Sequence, residues 1–157
     1  MHLTEITLKN YRCFTDIRIP LHPQLTVLVA ENGQGKSTVL DAVRVGLWPF
    51  IDSFDLARSS SFNDPANSIA VDDAHLSKAP DGSMVRQLPV AVALSGDFGD
   101  GEQSKWMRLR ESERDKTKTK DDEHTARLKQ WARQLQTDIR AEQRSEAITL
   151  PVFGYYG

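Results

Sequence analysis

Hydrophobic and polar positions alternate at the start of the chain and predict paired strands. Apolar residues recur among polar ones from Leu3 to Tyr11 and again from Phe14 to Ile19, which is the pattern of half-exposed β-strands. The next stretch, Leu25 to Ala30, is almost continuously apolar and predicts a strand buried on both faces. After a glycine-containing loop, apolar positions recur at helical spacing from Val39 to Trp48, and we expect Pro49 to end that helix.

The pattern weakens over residues 52–80 and becomes regular again in the second half of the chain. Alternating segments on either side of a glycine-rich turn predict a β-hairpin within residues 84–110. A charged linker is expected over residues 111–124, an amphipathic helix over 125–145, and a buried return strand over 147–156. The apolar stripe of that helix consists of Leu128, Trp131, Leu135 and Ile139. It is too short for a coiled-coil arm, so we expect it to pack against the sheet.

Composition places few further constraints on function. The 157 residues suffice for one domain with a hydrophobic core, and 39% hydrophobic and 27% charged residues are typical of a globular protein. A net charge of −2 shows no overall basic character of the kind that favours nucleic acid, although a local basic face stays open. The chain has a single cysteine, Cys13, and therefore no intrachain disulfide. We find no signal peptide and no apolar run near the ~20 residues of a membrane span, so a cytoplasmic protein without a membrane partner is expected.

The loop between the third predicted strand and the first helix carries the clearest chemical signal. Residues 30–37 read A-E-N-G-Q-G-K-S, against the phosphate-loop pattern G-x-x-x-x-G-K-[ST]. Gly35, Lys36 and Ser37 match the last three positions, and Ala30 replaces the first glycine. Alanine is tolerated there most easily if its backbone keeps a negative φ.

Each residue type in this loop suits a bound triphosphate. Gly33 and Gly35 allow backbone conformations that bring successive N–H groups close to an anion. The helix that follows directs its positive end to the same place, and the Lys36 ammonium can reach phosphate oxygens. The Ser37 hydroxyl can ligate Mg²⁺. A chance glycine turn is the alternative, but the order of buried strand, loop and helix favours phosphate binding.

The stretch from Ile6 to Phe50 resembles the N-terminus of ABC-type ATPases of the SMC, RecF and DNA-repair group. The resemblance is carried by Ile6-Thr7-Leu8-Lys9-Asn10-Tyr11-Arg12-Cys13-Phe14, by the loop from Ala30 to Thr38, and by Leu40-Asp41-Ala42. It implies an α/β P-loop NTPase fold of the ABC-ATPase type. Residues 1–157 would form an N-terminal lobe with a mixed sheet, the inserted hairpin and the amphipathic helix, and the C-terminal lobe would be absent. The ending Leu150 to Gly157 resembles a segment of bacterial AAA-labelled ATPases of anti-phage systems, such as the PtuA group.

The same resemblance implies ATP and Mg²⁺ as cofactors. The nucleotide-binding residues it implies are Arg12, Asn32, Gly33, Gln34, Gly35, Lys36, Ser37 and Thr38, with Ser37 as the Mg²⁺ ligand. For Arg12 a plain surface charge is the open alternative. No catalytic residue is expected within this chain, because we recognise neither the family's signature segment nor its aspartate–glutamate pair. Leu94-Ser95-Gly96 and Gly101-Glu102-Gln103 imitate a split signature, but they lie in the predicted hairpin turn.

Two functions remain open at this point. One is an ATPase head that pairs with a second head and couples ATP to DNA processing or anti-phage defence with a nuclease effector. The alternative is a nucleotide-sensing module that binds ATP without turnover. A small-molecule kinase is disfavoured by Asn10-Tyr11-Arg12 and by the Asn32-Gly33 step. A basic stripe of possible DNA-binding residues on the hairpin would consist of Lys105, Arg108, Arg110 and Arg114.

Overall fold

The computed structural model describes residues 1–59, 64–99, 101–114, 117–141, 147–148, 150–152 and 154. The strands in these ranges are β1 (His2–Tyr11), β2 (Phe14–Pro20), β3 (Leu76–Lys78), β4 (Met84–Arg86), β5 (Val90–Asp97), β6 (Gln103–Arg110) and β7 (Lys120–Asp121). The α-helices are α1 (Lys36–Ile51), α2 (Asp55–Ser59) and α3 (Glu123–Arg140), and short 3₁₀ turns span Pro65–Asn67 and Val71–Asp73. Together they form an α/β arrangement of sheet and helices.

One antiparallel sheet organises the described part of the chain. Its strand order is β2-β1-β5-β6-β7, and β3 pairs only with β4 in a separate ribbon. The hairpin formed by β5 and β6 lies within the range expected from the sequence, whereas β4, at the start of that range, belongs to the small ribbon. The expected linker over residues 111–124 contains β7, which pairs with β6. Every pairing in the five-stranded sheet is antiparallel, so the described sheet is not mixed.

Helices α1 and α3 pack against β5 and β6 and bury the core between them. Gly46 of α1 lies so close to the sheet that a Cβ added there would sit 2.6 Å from Leu94 Cδ1. Helix α3 begins after Asp122, whose carboxylate accepts the backbone N–H of Thr125 at 2.8 Å. Its stripe residue Leu128 is fully buried, in keeping with packing against the sheet.

Helix α1 does not end at Pro49, contrary to our expectation, but continues to Ile51. Proline lacks the N–H that would bond the carbonyl four residues earlier, at Val45. Arg108 of β6 replaces that donor, since its Nη1 lies 2.8 Å from the Val45 carbonyl oxygen. One residue on, Trp106 Nε1 donates to the Gly46 carbonyl at 3.0 Å. The helix therefore tolerates its internal proline because the sheet supplies the missing hydrogen bond.

The prediction of an exposed basic stripe on the hairpin is wrong for two of its residues, Arg108 and Arg110. Arg108 and Arg110 do share a face of β6, but it is the buried face that also carries Trp106, and they are only 7% and 5% exposed. Arg108 also donates to the Asn67 carbonyl at 2.8 Å, and Arg110 to the Thr117 carbonyl at 2.7 Å. These guanidinium groups satisfy buried backbone carbonyls, so they present no charge to DNA.

The prediction of a buried strand from Leu25 to Ala30 is also wrong. This stretch has no regular secondary structure, and Leu25, Val27 and Val29 are 71%, 69% and 89% exposed. A strand requires a neighbour for its backbone hydrogen bonds, and the described sheet offers none here. The expected return strand over 147–156 falls partly outside the described residues, and those described within it are not in a strand.

No helix in the described ranges is both long enough and apolar enough to cross a membrane.

Candidate nucleotide-binding site

The glycine loop adopts the backbone conformations that its sequence predicts. Gly33 and Gly35 have φ values of +85° and +90°, in the left-handed region that favours glycine. Ala30 is not among the described residues with positive φ, so its methyl group causes no backbone strain. Gly35 directly precedes α1, and no side chain caps this helix end. The first N–H groups of α1, which have no partner within a helix, therefore remain available at the loop.

The loop rests against the turn between β1 and β2. A Cβ added at Gly35 would lie 2.6 Å from Cys13 Sγ and 2.6 Å from Phe14 Cζ. Only hydrogen fits in that space, so Gly35 has a packing role in addition to its conformational one. Gly33 has the same left-handed backbone but open surroundings, with no atom within 4 Å of an added Cβ.

A cavity of about 270 Å³ opens between the glycine loop, the start of α1 and the β1–β2 turn. It is lined by Arg12, Cys13, Asn32, Gly33, Gly35, Lys36, Ser37 and Thr38. All the site residues expected from the sequence line it except Gln34, which is exposed beside it, and Cys13 is an additional wall residue. The lining contains two cationic side chains and no carboxylate, which suits a polyanionic ligand.

Lys36 is positioned at the loop by hydrogen bonds to loop carbonyls. Its Nζ donates to the Glu31 carbonyl at 2.7 Å and also to that of Ala30. An ammonium group has three donors, and a bound phosphate can replace these carbonyl partners without a large movement of the side chain. Ser37 is exposed in the first turn of α1. Its hydroxyl lies at the cavity, where such a group can ligate Mg²⁺ together with oxygen atoms of a nucleotide and of water.

Arg12 enters the cavity wall from the β1–β2 turn with its guanidinium held by two carboxylates. Its Nε lies 2.7 Å from Asp73 Oδ1, and its Nη1 lies 2.5 Å from Asp41 Oδ2. Burial lowers the pKa of Arg12, but the hydrogen bonds to Asp73 and Asp41 outweigh it and raise the pKa above its ordinary value. Arg12 therefore remains a cation at the edge of the cavity.

The sequence alone did not indicate the two acidic partners of Arg12. Asp41 belongs to the family-like Leu40-Asp41-Ala42 segment, which assigns it no partner, and Asp72-Asp73 is typical of an ordinary turn. Asp73 is separated from Arg12 by 61 positions, and no periodic or motif signal connects residues at such a distance. Only the fold brings them together.

Comparison with known proteins identifies the family of the chain. A family model described as "AAA domain" matches residues 5–157. The chain is 38% identical over 72 residues to an OLD nuclease of Thermus scotoductus, covering 44% of this chain and 13% of that protein. It is 40% identical over 43 residues to the DNA replication and repair protein RecF of Lactococcus lactis, covering 27% and 12%. It is also 40% identical over 48 residues to the DNA double-strand break repair Rad50 ATPase of Halobacterium salinarum, covering 31% and 5%.

These matches differ in extent. The regions aligned with the three relatives span only 5 to 13% of the relatives' own lengths, whereas the family model covers nearly all of this chain. The relatives belong to the group that the opening motif and the glycine loop resemble. The chain therefore belongs to the AAA domain family, and segments of it are similar to a RecF protein and to a Rad50 ATPase.

Proposed function

We propose that this chain is the ATP-binding part of an SMC- and RecF-like ATPase, with Mg²⁺ bound at Ser37. The observation that carries the proposal is the cavity at the start of α1. There a left-handed glycine loop, an uncapped helix end and the side chains of Lys36 and Arg12 converge. Backbone N–H groups and cations arranged around a concave surface favour a phosphate chain.

The test measures Mg·ATP binding to the wild type and to Lys36→Ala by isothermal titration calorimetry. Two charge-assisted hydrogen bonds from the ammonium contribute about 3 kcal/mol, so the affinity of Lys36→Ala should fall by about 100-fold or more. Lys36→Gln is the sharper variant, because the amide can still donate to a loop carbonyl but carries no charge. It should lose most of the affinity as well.

Lys118→Ala is the matched control. Lys118 is exposed and lies outside the lining of the cavity, so its removal should leave the affinity within about twofold of the wild type. Unchanged affinity in both Lys36 variants would refute the assignment of the loop. Equal losses in the Lys36 variants and in the Lys118 control would indicate a general charge effect and would refute it too.

We further propose that the complete protein couples ATP binding and hydrolysis to DNA processing or anti-phage defence. The support is the roles of the relatives, which are a nuclease, a replication and repair protein, and a double-strand break repair ATPase. In this proposal two ATPase heads pair, and a nuclease effector acts downstream. The corresponding experiment is ATP-dependent dimerisation and DNA cleavage by the full-length protein, compared with its Lys36→Ala variant.

Binding without turnover is the second candidate, and one observation favours it. Leu94-Ser95-Gly96 lies within strand β5, and Gln103 starts β6, so the split signature-like residues belong to a β-hairpin. Phosphate release separates the two candidates. Release of phosphate by the full-length protein in the presence of DNA supports the ATPase. ATP binding without release under the same conditions supports the sensor.

A further inference from the structure

The turn that carries Arg12 has an unusual backbone, and a distant segment holds it in place. Asn10 and Arg12 both have φ values of +50°, a conformation that is uncommon for residues other than glycine and that costs about 1 kcal/mol or more each. The Arg12 N–H donates to the Asp73 carbonyl at 2.7 Å, and the His75 N–H donates to the Asn10 carbonyl at 2.9 Å. His75 Nδ1 also lies 2.7 Å from the Arg12 carbonyl oxygen. We call residues 73–75 the turn clamp.

The clamp also fixes the side chain of Arg12. The Asp73 carboxylate receives Arg12 Nε through Oδ1 and the backbone N–H of Ala70 through Oδ2, at 2.7 and 2.8 Å. The Ala70 N–H thus orients the carboxylate, and the Asp73 side chain is only 12% exposed. Asp41 holds Nη1 from the other side. With two of its three nitrogens held, the guanidinium has little rotational freedom left.

The third nitrogen of Arg12 has no such partner. Among the residues that the structure describes, none accepts a hydrogen bond from Nη2, and the Arg12 side chain is 35% exposed at the wall of the cavity. Lys36 and the N-terminus of α1 lie on the same cavity. A guanidinium whose other two nitrogens are bonded to carboxylates presents its remaining N–H groups in a fixed direction, which suits a phosphate oxygen.

We propose that Asp73 is a positioning residue for the triphosphate site: it holds Arg12 so that Nη2 contacts the phosphate chain of the nucleotide. This inference rests on the proposed ATP binding, and it adds Asp73, a residue outside the glycine loop, to the nucleotide site. The alternative is a purely structural role, in which the Arg12–Asp73 pair only stabilises the β1–β2 turn. In the proposed role Asp73 acts on the nucleotide solely through Arg12, and this property separates the two cases.

A double-mutant cycle on Mg·ATP affinity tests that property. Arg12→Ala and Asp73→Ala should each weaken binding by about tenfold, and the double variant should be no weaker than Arg12→Ala alone. Asp72→Ala is the control, since the neighbouring carboxylate is 84% exposed and pairs with Arg86. It should bind like the wild type. Melting temperatures of all variants are measured so that affinities are compared among folded proteins.

Asp73→Asn supplies the conservative variant and keeps the test usable if Asp73→Ala does not fold. The amide oxygen can still accept from Arg12 Nε, so its affinity should lie between those of Asp73→Ala and the wild type. Wild-type affinity in Asp73→Asn and Asp73→Ala would overturn the inference, as would losses that add in the double variant. Because Lys36→Ala is run in parallel, these results leave the proposed function standing. Equal binding by the wild type and Lys36→Ala would overturn both.

Discussion

Replacing Gly35 with alanine is the most direct probe of the way in which the glycine loop is packed. The new methyl group meets the β1–β2 turn, 2.6 Å from both Cys13 Sγ and Phe14 Cζ. Gly33→Ala is the matched control, because Gly33 has nearly the same φ, +85° against +90°, but no atom within 4 Å of the added Cβ. The pair therefore separates backbone strain from steric overlap.

The expected magnitudes follow from these two terms. Placing an alanine in the left-handed region costs about 1 kcal/mol at either position. The overlap at Gly35 adds about 1–3 kcal/mol, because Cys13 and Phe14 must move or the loop must lift away from them. Gly35→Ala should therefore bind Mg·ATP roughly 5- to 150-fold more weakly than Gly33→Ala, since each 1.4 kcal/mol corresponds to a factor of ten.

The assay is titration calorimetry with Mg·ATP on both variants, together with a thermal unfolding curve for each. A drop in affinity that is much larger for Gly35→Ala supports the packing argument. Equal affinities in the two variants would refute it, because the contact with Cys13 and Phe14 would then contribute nothing to the shape of the loop. A melting temperature lowered equally in both would point to backbone strain alone.

Two further predictions concern an arginine in the core and the single cysteine. Arg108→Leu leaves the carbonyls of Val45 and Asn67 without the donors found at 2.8 Å, so urea unfolding should show a loss of about 3–5 kcal/mol. The control Arg18→Leu, whose side chain is 76% exposed, should lose less than about 1 kcal/mol, and similar losses in both would contradict our assignment of the buried contacts. Cys13 lines the cavity, so Mg·ATP should slow its alkylation by N-ethylmaleimide, as followed by mass spectrometry. An unchanged alkylation rate at saturating nucleotide would place the triphosphate elsewhere.

The parts of the site that the sequence predicted are those set by neighbouring residues. Gly33 and Gly35 require only their own lack of a side chain to reach the left-handed region, and α1 begins at Lys36, within one turn of Val39, where the helical spacing of apolar residues begins. Such local determinants are readable from one sequence. The binding role of these residues stays a prediction until the affinity of the Lys36 variants is measured.

The predictions that were wrong or missing concern residues whose structural partners are distant in sequence. The run from Leu25 to Ala30 has the apolar character of a buried strand, but a strand forms only beside another strand, and the described sheet has none adjacent to it. Alternation along β6 correctly put Arg108 and Arg110 on one face, yet it does not say which face is inside. The role of Asp73 arises from a contact across 61 positions.

The bond between Arg108 and the proline-interrupted turn of α1 has a mechanical consequence. The helix that begins at the glycine loop is attached to β6 through the Val45 and Gly46 carbonyls. Helix and hairpin must therefore move as one rigid body, and α1 cannot slide or rotate against the sheet without breaking buried hydrogen bonds. A rearrangement driven by nucleotide would instead be absorbed by residues 21–31, which precede the loop and belong to no helix or strand. Both ends of that stretch are attached to this one body, at β2 and at α1, so a nucleotide would reshape the loop while α1 and the sheet stay together.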